Sequence, residues 1–197
     1  EMAFFKGYAN PRGTWDAQAG VFRYDAGSDD VGEYMVGNMF SGVVTEIGPG
    51  VDSLTVGDRV FAYGGFSETH TVSADDCRKL PAGVSWQSAV CLDPAVFAMG
   101  AVRDGCVRVG DRVAVFGLGA IGLMVVELAR LSGASHITAV DPIALRRSVA
   151  ESVGADLVVD PMSCDAGVAV KSVSGGADVA VEFSGSVQGL QHALRSV

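Results

Sequence analysis

The stretch "VRVGDRVAVFGLGAIGLMVVELARLSGASHITAVDP", residues 107–142, constrains this chain more than any other. Arg112–Phe116 is a short β-branched run that ends at a cluster of glycines, and residues 121–131 follow as a long apolar stretch of helical length. Gly133 stops that helix, and "HITAV" is a second apolar run of strand length. Two strands joined by a crossover helix lie parallel, because the helix returns the chain to the end from which the first strand started. The alternation continues with a helix over 144–153, a short strand at Leu157–Val159 and the strand "ADVAVEFSG". The expected class is α/β, with a doubly wound parallel sheet in this half of the chain.

Gly117, Gly119 and Gly122 in "FGLGAIG" form a G-x-G-x-x-G pattern. In a sequence with 26 glycines the pattern alone is weak. A strand directly before it and a helix directly after it give each glycine a mechanical task. Gly117 allows a tight turn, Gly119 lets a pyrophosphate approach the backbone, and Gly122 lets helix and strand pack closely. The diphosphate would rest on the free N–H groups at the helix start, around Ala120 and Ile121. Asp141 stands nineteen residues past Gly122, at the end of "HITAV". A carboxylate there accepts hydrogen bonds from ribose hydroxyls and repels a 2′-phosphate, which favours NAD over NADP. Arg146 and Arg147 complicate that preference: a nearby arginine can hold the extra phosphate, or both can be solvated on a helix with Glu151.

The first hundred residues have a different texture, rich in glycine, turn signals and short β-branched runs. "SGVVTEIG" (41–48) and "RVFAYG" from Arg59 have strand character, and "SETHTVSAD" alternates in the same way, which together predict a compact β-barrel or sandwich. "SWQSAVCLDPAVFAMGA" reads as two helical pieces broken at Pro94. The expected domains are therefore 1–104 and 105–197. "VGDRV" occurs at Val56 and again at Val109, and is read as a shared way of entering a strand through a Gly-Asp turn rather than as a repeat.

With 49% hydrophobic residues and 19% charged ones, the chain has the composition of a folded protein. Its net charge of -9 argues against nucleic-acid or anionic-membrane partners. No apolar run reaches the roughly 18 residues of a spanning helix. Cys77, Cys91, Cys106 and Cys164 are scattered without a CxxC pair, so they are expected to be buried or semi-buried thiols in a reducing cytoplasm. The chain opens on Glu1 and stops at "QHALRSV", inside an expected helix, which reads as a piece of something longer.

In order and spacing, "SGVVTEIGPGV", "VGDRVFA", "GGFSETHTV", "KLPAGVS", "VGDRVAVFGLGAIGL" and "VDPIALRRSVAESVGAD" resemble the medium-chain dehydrogenase/reductase family, the zinc-type alcohol and polyol dehydrogenases and their relatives. The resemblance implies a GroES-like β-barrel catalytic domain followed by a Rossmann-type domain, both partial here, with the active site in the cleft between them. It implies hydride transfer between a nicotinamide cofactor and an alcohol or carbonyl substrate. Zinc-dependent members carry Gly-His-Glu before the "SGVV" strand, where this chain has Gly37-Asn38-Met39. A neutral amide and a thioether are poor substitutes for imidazole and carboxylate around Zn²⁺. The family's structural-zinc cysteine cluster has no counterpart within residues 62–92. Asp93 in "CLDPAVFAMGAV" falls where polyol-type members place a glutamate ligand. One carboxylate cannot hold a catalytic zinc, and the family's first ligand would fall at or before Glu1. The expectation is no metal site and a zinc-lacking branch, whose members include relatives resembling bacteriochlorophyllide dehydrogenases.

Without zinc, another group must stabilise the reacting oxygen or supply a proton. Asn38 is placed to donate an amide N–H, and Asp93 to act through water. Each has a structural alternative: Asn38 as a residue tolerating a left-handed turn, Asp93 as a helix-entry residue before Pro94. His70 in "ETHTV" is either a general acid or a surface or cross-strand histidine, whereas His136 and His192 are expected away from the cleft. Tyr8, Tyr34 and Tyr63 remain proton-donor candidates. The resemblance also puts Ser184 and Gly185, in "VEFSG", along the cofactor. The leading reading is an NAD-preferring, zinc-independent oxidoreductase. An NADPH-dependent enone or quinone reductase and a cofactor-binding protein with a decayed catalytic site are the alternatives. Family members commonly pair through the edge of the cofactor-domain sheet, so a homo-oligomer is expected of the whole protein, formed by elements beyond Val197.

Overall fold

A computed structural model describes residues 37–197 together with Gln18 and the strands β1 (Gly13–Asp16) and β2 (Val21–Tyr24). The chain divides into two compact units, Glu1–Val90 and Cys91–Val197.

In the first unit β1 and β2 pair antiparallel, Gly13 opposite Tyr24. A second antiparallel sheet runs in the order β3 (Met39–Val43), β4 (Arg59–Tyr63), β5 (Arg78–Lys79). Val60 and Ala62, two residues apart, are buried on one face, opposite Gly42 and Phe40. β3 is shorter than the "SGVVTEIG" run suggests, because its partner β4 begins at Arg59 and pairing ends where the Val44 N–H reaches the Asp58 carbonyl. "SETHTVSAD" forms no regular strand. Ser67 Oγ donates to the Thr69 carbonyl, and the Ser73 hydroxyl accepts from the Asp75 N–H, so local side-chain bonds replace a ladder.

Both copies of "VGDRV" use the same device. Gly57 and Gly110 have φ of +95° and +92°. Asp58 accepts from the Thr55 N–H at 2.8 Å and Asp111 from the Arg108 N–H at 2.7 Å. A glycine in the left-handed region followed by an Asp-closed turn launches a strand each time.

Ser85 caps the short helix α1 (Trp86–Val90) through the Ser88 N–H. The longer helix α2 (Leu92–Asp104) begins after Cys91. The break is therefore at Cys91 and not at Pro94, which occupies the first turn of α2, where a missing N–H costs no helical hydrogen bond. Ala98 and Val102 of α2 are buried with Val113 and Val125, so α2 belongs to the second unit, while the boundary expected after residue 104 assigns it to the first.

The second unit continues as β6 (Arg112–Phe116), α3 (Ala120–Leu131), β7 (His136–Val140), α4 (Ala144–Ser152), β8 (Leu157–Val159), α5 (Ala166–Ser174), β9 (Val179–Glu182) and α6 (Val187–Ser196). All four strands are parallel in the order β8-β7-β6-β9, with Phe116 beside Val140 on one flank and Glu182 on the other. Alternation along β6 splits the core. Val113 and Val115 face α2, α3 and α4, whereas Ala114 and Phe116 face Ala166 and Val170 of α5 and Ala193 of α6. Chain order reverses between β6 and β9, which opens a crevice beyond their C-terminal ends. This is the Rossmann-type half of the two-part fold expected from the sequence. Helix α5 was not anticipated, because "AGVAVKSVS" is β-branched. Its signals were the ends: Asp165 accepts from the Val168 N–H at 3.1 Å, and Gly175 closes it at φ +75°.

The four cysteines are free thiols. Cys77 and Cys91 are half-buried as expected. Cys106 and Cys164 are exposed, contrary to expectation, because both lie in the turns that follow α2 and β8 rather than on a packed face.

Candidate functional site

At the C-terminal ends of β6, β7 and β9 lies a cleft of about 460 Å³, walled in part by Gly117, Gly119, Asp141, Arg146, Met162 and Ser184. Five of these six are residues that the sequence singled out, and the fold brings them together from separate loops. Gly117 adopts φ +87°, and a Cβ there would lie 2.4 Å from the Ser184 nitrogen. A Cβ on Gly122 would lie 1.9 Å from the Gly117 carbonyl oxygen, so α3 sits directly on the loop backbone. Gly119 is different: its φ is -73°, and an added Cβ would meet nothing within 4 Å. Neither backbone conformation nor packing requires glycine there, and a side chain would fill space at the cleft wall. No side chain caps the start of α3, so the N–H groups around Ala120 and Ile121 are available to an anion.

Asp141 is 2% exposed. Its Oδ2 accepts from the Leu118 N–H at 2.8 Å, inside the glycine-rich loop, and its Oδ1 accepts from the Ile143 N–H at 2.8 Å. A carboxylate has about four acceptor positions, so two backbone bonds leave capacity for a vicinal diol. Arg146 Nη1 lies 3.4 Å from Oδ2 and lines the cleft. Arg147 does something else: it donates to the Asp141 carbonyl at 2.7 Å and pairs with Asp160 at 3.2 Å. Its side chain is only 17% exposed, which corrects the picture of two solvated arginines.

Ser184 donates both its N–H and its hydroxyl to Glu182 Oε1, and its Oγ lies 3.0 Å from Ser186 Oγ. Gly185, at φ +64°, turns the chain between these serines and is not part of the cleft wall. Ser186 caps α6 by accepting from the Gly189 N–H at 2.9 Å. Gln188, Gly189 and His192 then line the cleft from one side of that helix. The sequence reading missed Pro161, Met162 and Gln188 and expected His192 elsewhere. The helical spacing 188, 189, 192 after a glycine turn was the available signal.

Asn38 and Asp93 are not in this cleft; they lie in different units, Asn38 in the first and Asp93 in the second. Asn38 is exposed, on the bend before β3, and its carbonyl accepts from the Gly64 N–H at 3.0 Å. The left-handed residue of this bend is Gly37 (φ +95°), where a Cβ would lie 2.7 Å from the Phe66 ring, so Asn38 does not serve that role. Met39 is buried and pairs opposite Tyr63. Asp93 is half-buried in the first turn of α2, where its charge faces the positive end of the helix. His70 is not in a strand; it stacks on Phe40 with ring centroids 3.9 Å apart. It lines a hollow of about 1110 Å³ in the first unit, together with Glu68, Thr69 and Cys77. Burial pushes the Cys77 thiol up, with the Asp76 charge adding to it. Tyr63 is exposed at the end of β4, and Tyr8 and Tyr34 lie outside the described residues. Among the described residues, no three His, Cys, Asp or Glu side chains are grouped to hold a metal ion, and no helix is long and apolar enough to cross a membrane.

Residues 120–197 match the family described as zinc-binding dehydrogenase. Over 173 residues the chain is 47% identical to D-guloside 3-dehydrogenase of Escherichia coli (strain K12), covering 85% of this chain and 49% of that protein. It is 36% identical over 190 residues to (R,R)-butanediol dehydrogenase of Bacillus subtilis (strain 168), covering 82% and 55%. Among solved structures, 2R,3R-butanediol dehydrogenase from Bacillus subtilis superposes with a TM-score of 0.67 at 32% identity, covering 82% of this chain and 55% of that one. The chain thus spans about half the length of the curated relatives it matches.

Proposed function

Because this chain belongs to the zinc-type medium-chain dehydrogenase/reductase family, we propose that its protein transfers hydride between NAD(H) and a secondary alcohol or the matching carbonyl compound. The observation that carries this reading is the glycine loop braced by a buried carboxylate. Asp141 holds the Leu118 N–H at 2.8 Å while lining the same cleft as Gly119, where a side chain would take up ligand space. The residues fit a dinucleotide: uncapped N–H groups at α3 for the diphosphate, and Asp141 for the adenosine ribose. When bound, the nicotinamide ring supplies the hydride chemistry. The chain's part is to orient that cofactor and to manage the charge and proton of the reacting oxygen.

NAD is the preferred form in this reading. A buried carboxylate repels a 2′-phosphate, and Arg146, the cleft's candidate phosphate partner, is already paired with that carboxylate. The substrate class follows the relatives. One is named for oxidation of a glycoside at C3 and another for a vicinal diol, which supports a secondary hydroxyl on a polyhydroxylated compound.

The reaction is proposed to proceed without catalytic zinc, on the argument that Asn38 and Met39 stand where zinc-dependent members have histidine and glutamate. In this proposal the Asn38 amide donates to the reacting oxygen, and Asp93 relays the proton through water. The test is a titration of the full-length protein with NADH and NADPH, combined with elemental analysis and a panel of secondary alcohols and enones. Expected are tighter NADH binding, alcohol oxidation and no stoichiometric metal. About one zinc per chain would overturn the metal-free step, and enone reduction without alcohol oxidation would overturn the substrate class.

A further inference from the structure

The turn after β9 carries a chain of hydrogen bonds that runs in one direction. A carboxylate only accepts, so Ser184 Oγ gives its proton to Glu182 Oε1. The 3.0 Å contact between Ser184 Oγ and Ser186 Oγ therefore uses the Ser186 proton, while Ser186 Oγ accepts from the Gly189 N–H at 2.9 Å. Ser184 Oγ also takes the Ser186 N–H at 3.2 Å, and the Ser184 N–H ends on Glu182 Oε1 at 2.6 Å. The hydroxyl of Ser184 is thus spent within the turn, its proton and both lone pairs alike. Every donor in the chain leads to one charge. A Cβ on Gly189 would lie 2.1 Å from Ser184 Oγ and 2.9 Å from Glu182 Oε1, so α6 packs directly on this network. Phe183, Ser184, Ser186 and Gly189 all line the cleft, which puts the Glu182 carboxylate just behind its wall.

Glu182 is half-buried, and among the described residues no lysine, arginine or histidine pairs with it. Asp141, across β6, differs in this respect: it has Arg146 at 3.4 Å. Neutral donors orient a carboxylate without cancelling its charge, so a charge held in this way favours a positive group nearby. Which group that is rests on the dinucleotide reading. β7 and β9 flank β6 on opposite sides. With the diphosphate at the loop after β6 and the adenosine ribose at Asp141, the other half of the ligand lies on the β9 side of the crevice. That half ends in the nicotinamide ring, which is a cation when oxidised and neutral when reduced. We propose that Glu182 makes the cleft select the oxidation state of its cofactor, its charge favouring the pyridinium of NAD⁺ over the neutral ring of NADH. The effect needs no contact, because attraction between charges falls off slowly across a wall of low dielectric. Ser184 and Ser186 act as positioning residues by fixing where the carboxylate stands.

Two substitutions separate charge from shape. Glu182→Gln keeps an acceptor oxygen for Ser184 and removes the charge, whereas Glu182→Asp keeps the charge on a shorter arm. Calorimetric titration of the full-length protein with NAD⁺, NADH and ADP-ribose reads the difference, since ADP-ribose lacks the ring. In E182Q the ratio of the NAD⁺ to the NADH dissociation constant should rise about fivefold, and by less in about 1 M salt. In E182D the ratio should stay within about twofold of the parent's. ADP-ribose should bind E182Q no more weakly than it binds the parent. An unchanged ratio in E182Q, a rise in E182D that matches it, or equal weakening of all three ligands overturns the charge selection and leaves the dinucleotide reading standing. If the parent protein binds none of the three, the dinucleotide reading falls and this inference with it.

Discussion

In the second unit several candidate residues are held by one another or by their neighbours: Asp141 by Leu118 and Ile143, Gly122 by the Gly117 carbonyl, Ser184 by Glu182. In the first unit Asn38 lies exposed on a bend whose geometry comes from Gly37 and from the Gly64 N–H on the Asn38 carbonyl. The first arrangement is a cradle in which a change at one residue displaces the others. The second is a bend whose course follows the Gly37 conformation and the Gly64 N–H. The contrast divides a cluster of mutually braced residues from a single bend set by its backbone, and bracing of the first kind holds several contacts in register for a ligand of fixed shape.

Substitutions can break or sharpen that division. The largest effect is expected from Gly122→Ala in the full chain, because its Cβ would lie 1.9 Å from a carbonyl oxygen. Overpacking of this kind should cost about 3 kcal/mol of stability, and dinucleotide binding should fall roughly a hundredfold as the loop shifts. Thermal denaturation and NADH titration would check both. Next comes Asn38→Ala: turnover by the full-length protein should fall about a hundredfold, as when an oxyanion donor is removed, with the NADH dissociation constant unchanged. Unaltered turnover would remove Asn38 from the chemistry, and weakened NADH binding would break the division itself. Asp141→Asn should weaken NADH about tenfold and NADPH less, since the ribose contact goes and so does the repulsion of the 2′-phosphate. Equal weakening would show that the carboxylate only braces the loop.

The smallest effect concerns acid. The Arg112 guanidinium, and then the Arg112 N–H, hold the Asp178 carboxyl well below the usual carboxylate range. A carboxyl with a depressed folded-state pKa contributes stability that is present above its unfolded value, about 4, and is lost as pH falls through the folded value. Melting temperature should therefore be level from neutral pH to about 5 and drop below about 4. Asp178→Asn should lower the neutral plateau slightly and flatten the acid limb. An acid limb identical to the parent's would place the sensitivity elsewhere, for instance at Asp165.

Most of the second unit was legible because its signals are local. β6, β7 and β8 stand where their apolar runs predicted, Gly117 makes the turn and Gly122 the close packing expected of them, and Asp141 lies in the cleft. The first unit was less legible: antiparallel strands end where partners end, so β3 stops at Val43 and "SETHTVSAD" finds no ladder. The histidines show the same limit. The sequence puts His192 near the chain end and away from the cleft, whereas α6 brings it to the lining, because position in the chain does not say which side of a helix meets a cleft.

From the sequence alone came the alternation of β6, α3, β7, α4 and β8, the glycine loop, and the carboxylate one strand later, since each depends on periodicity or on φ preferences within a few residues. Tertiary structure alone decided that α2 joins the second unit, that Arg147 braces while Arg146 faces the cleft, and that His192 is among the residues lining it. These outcomes rest on contacts between residues far apart in the chain, where packing and desolvation choose the partner and local preference has no say.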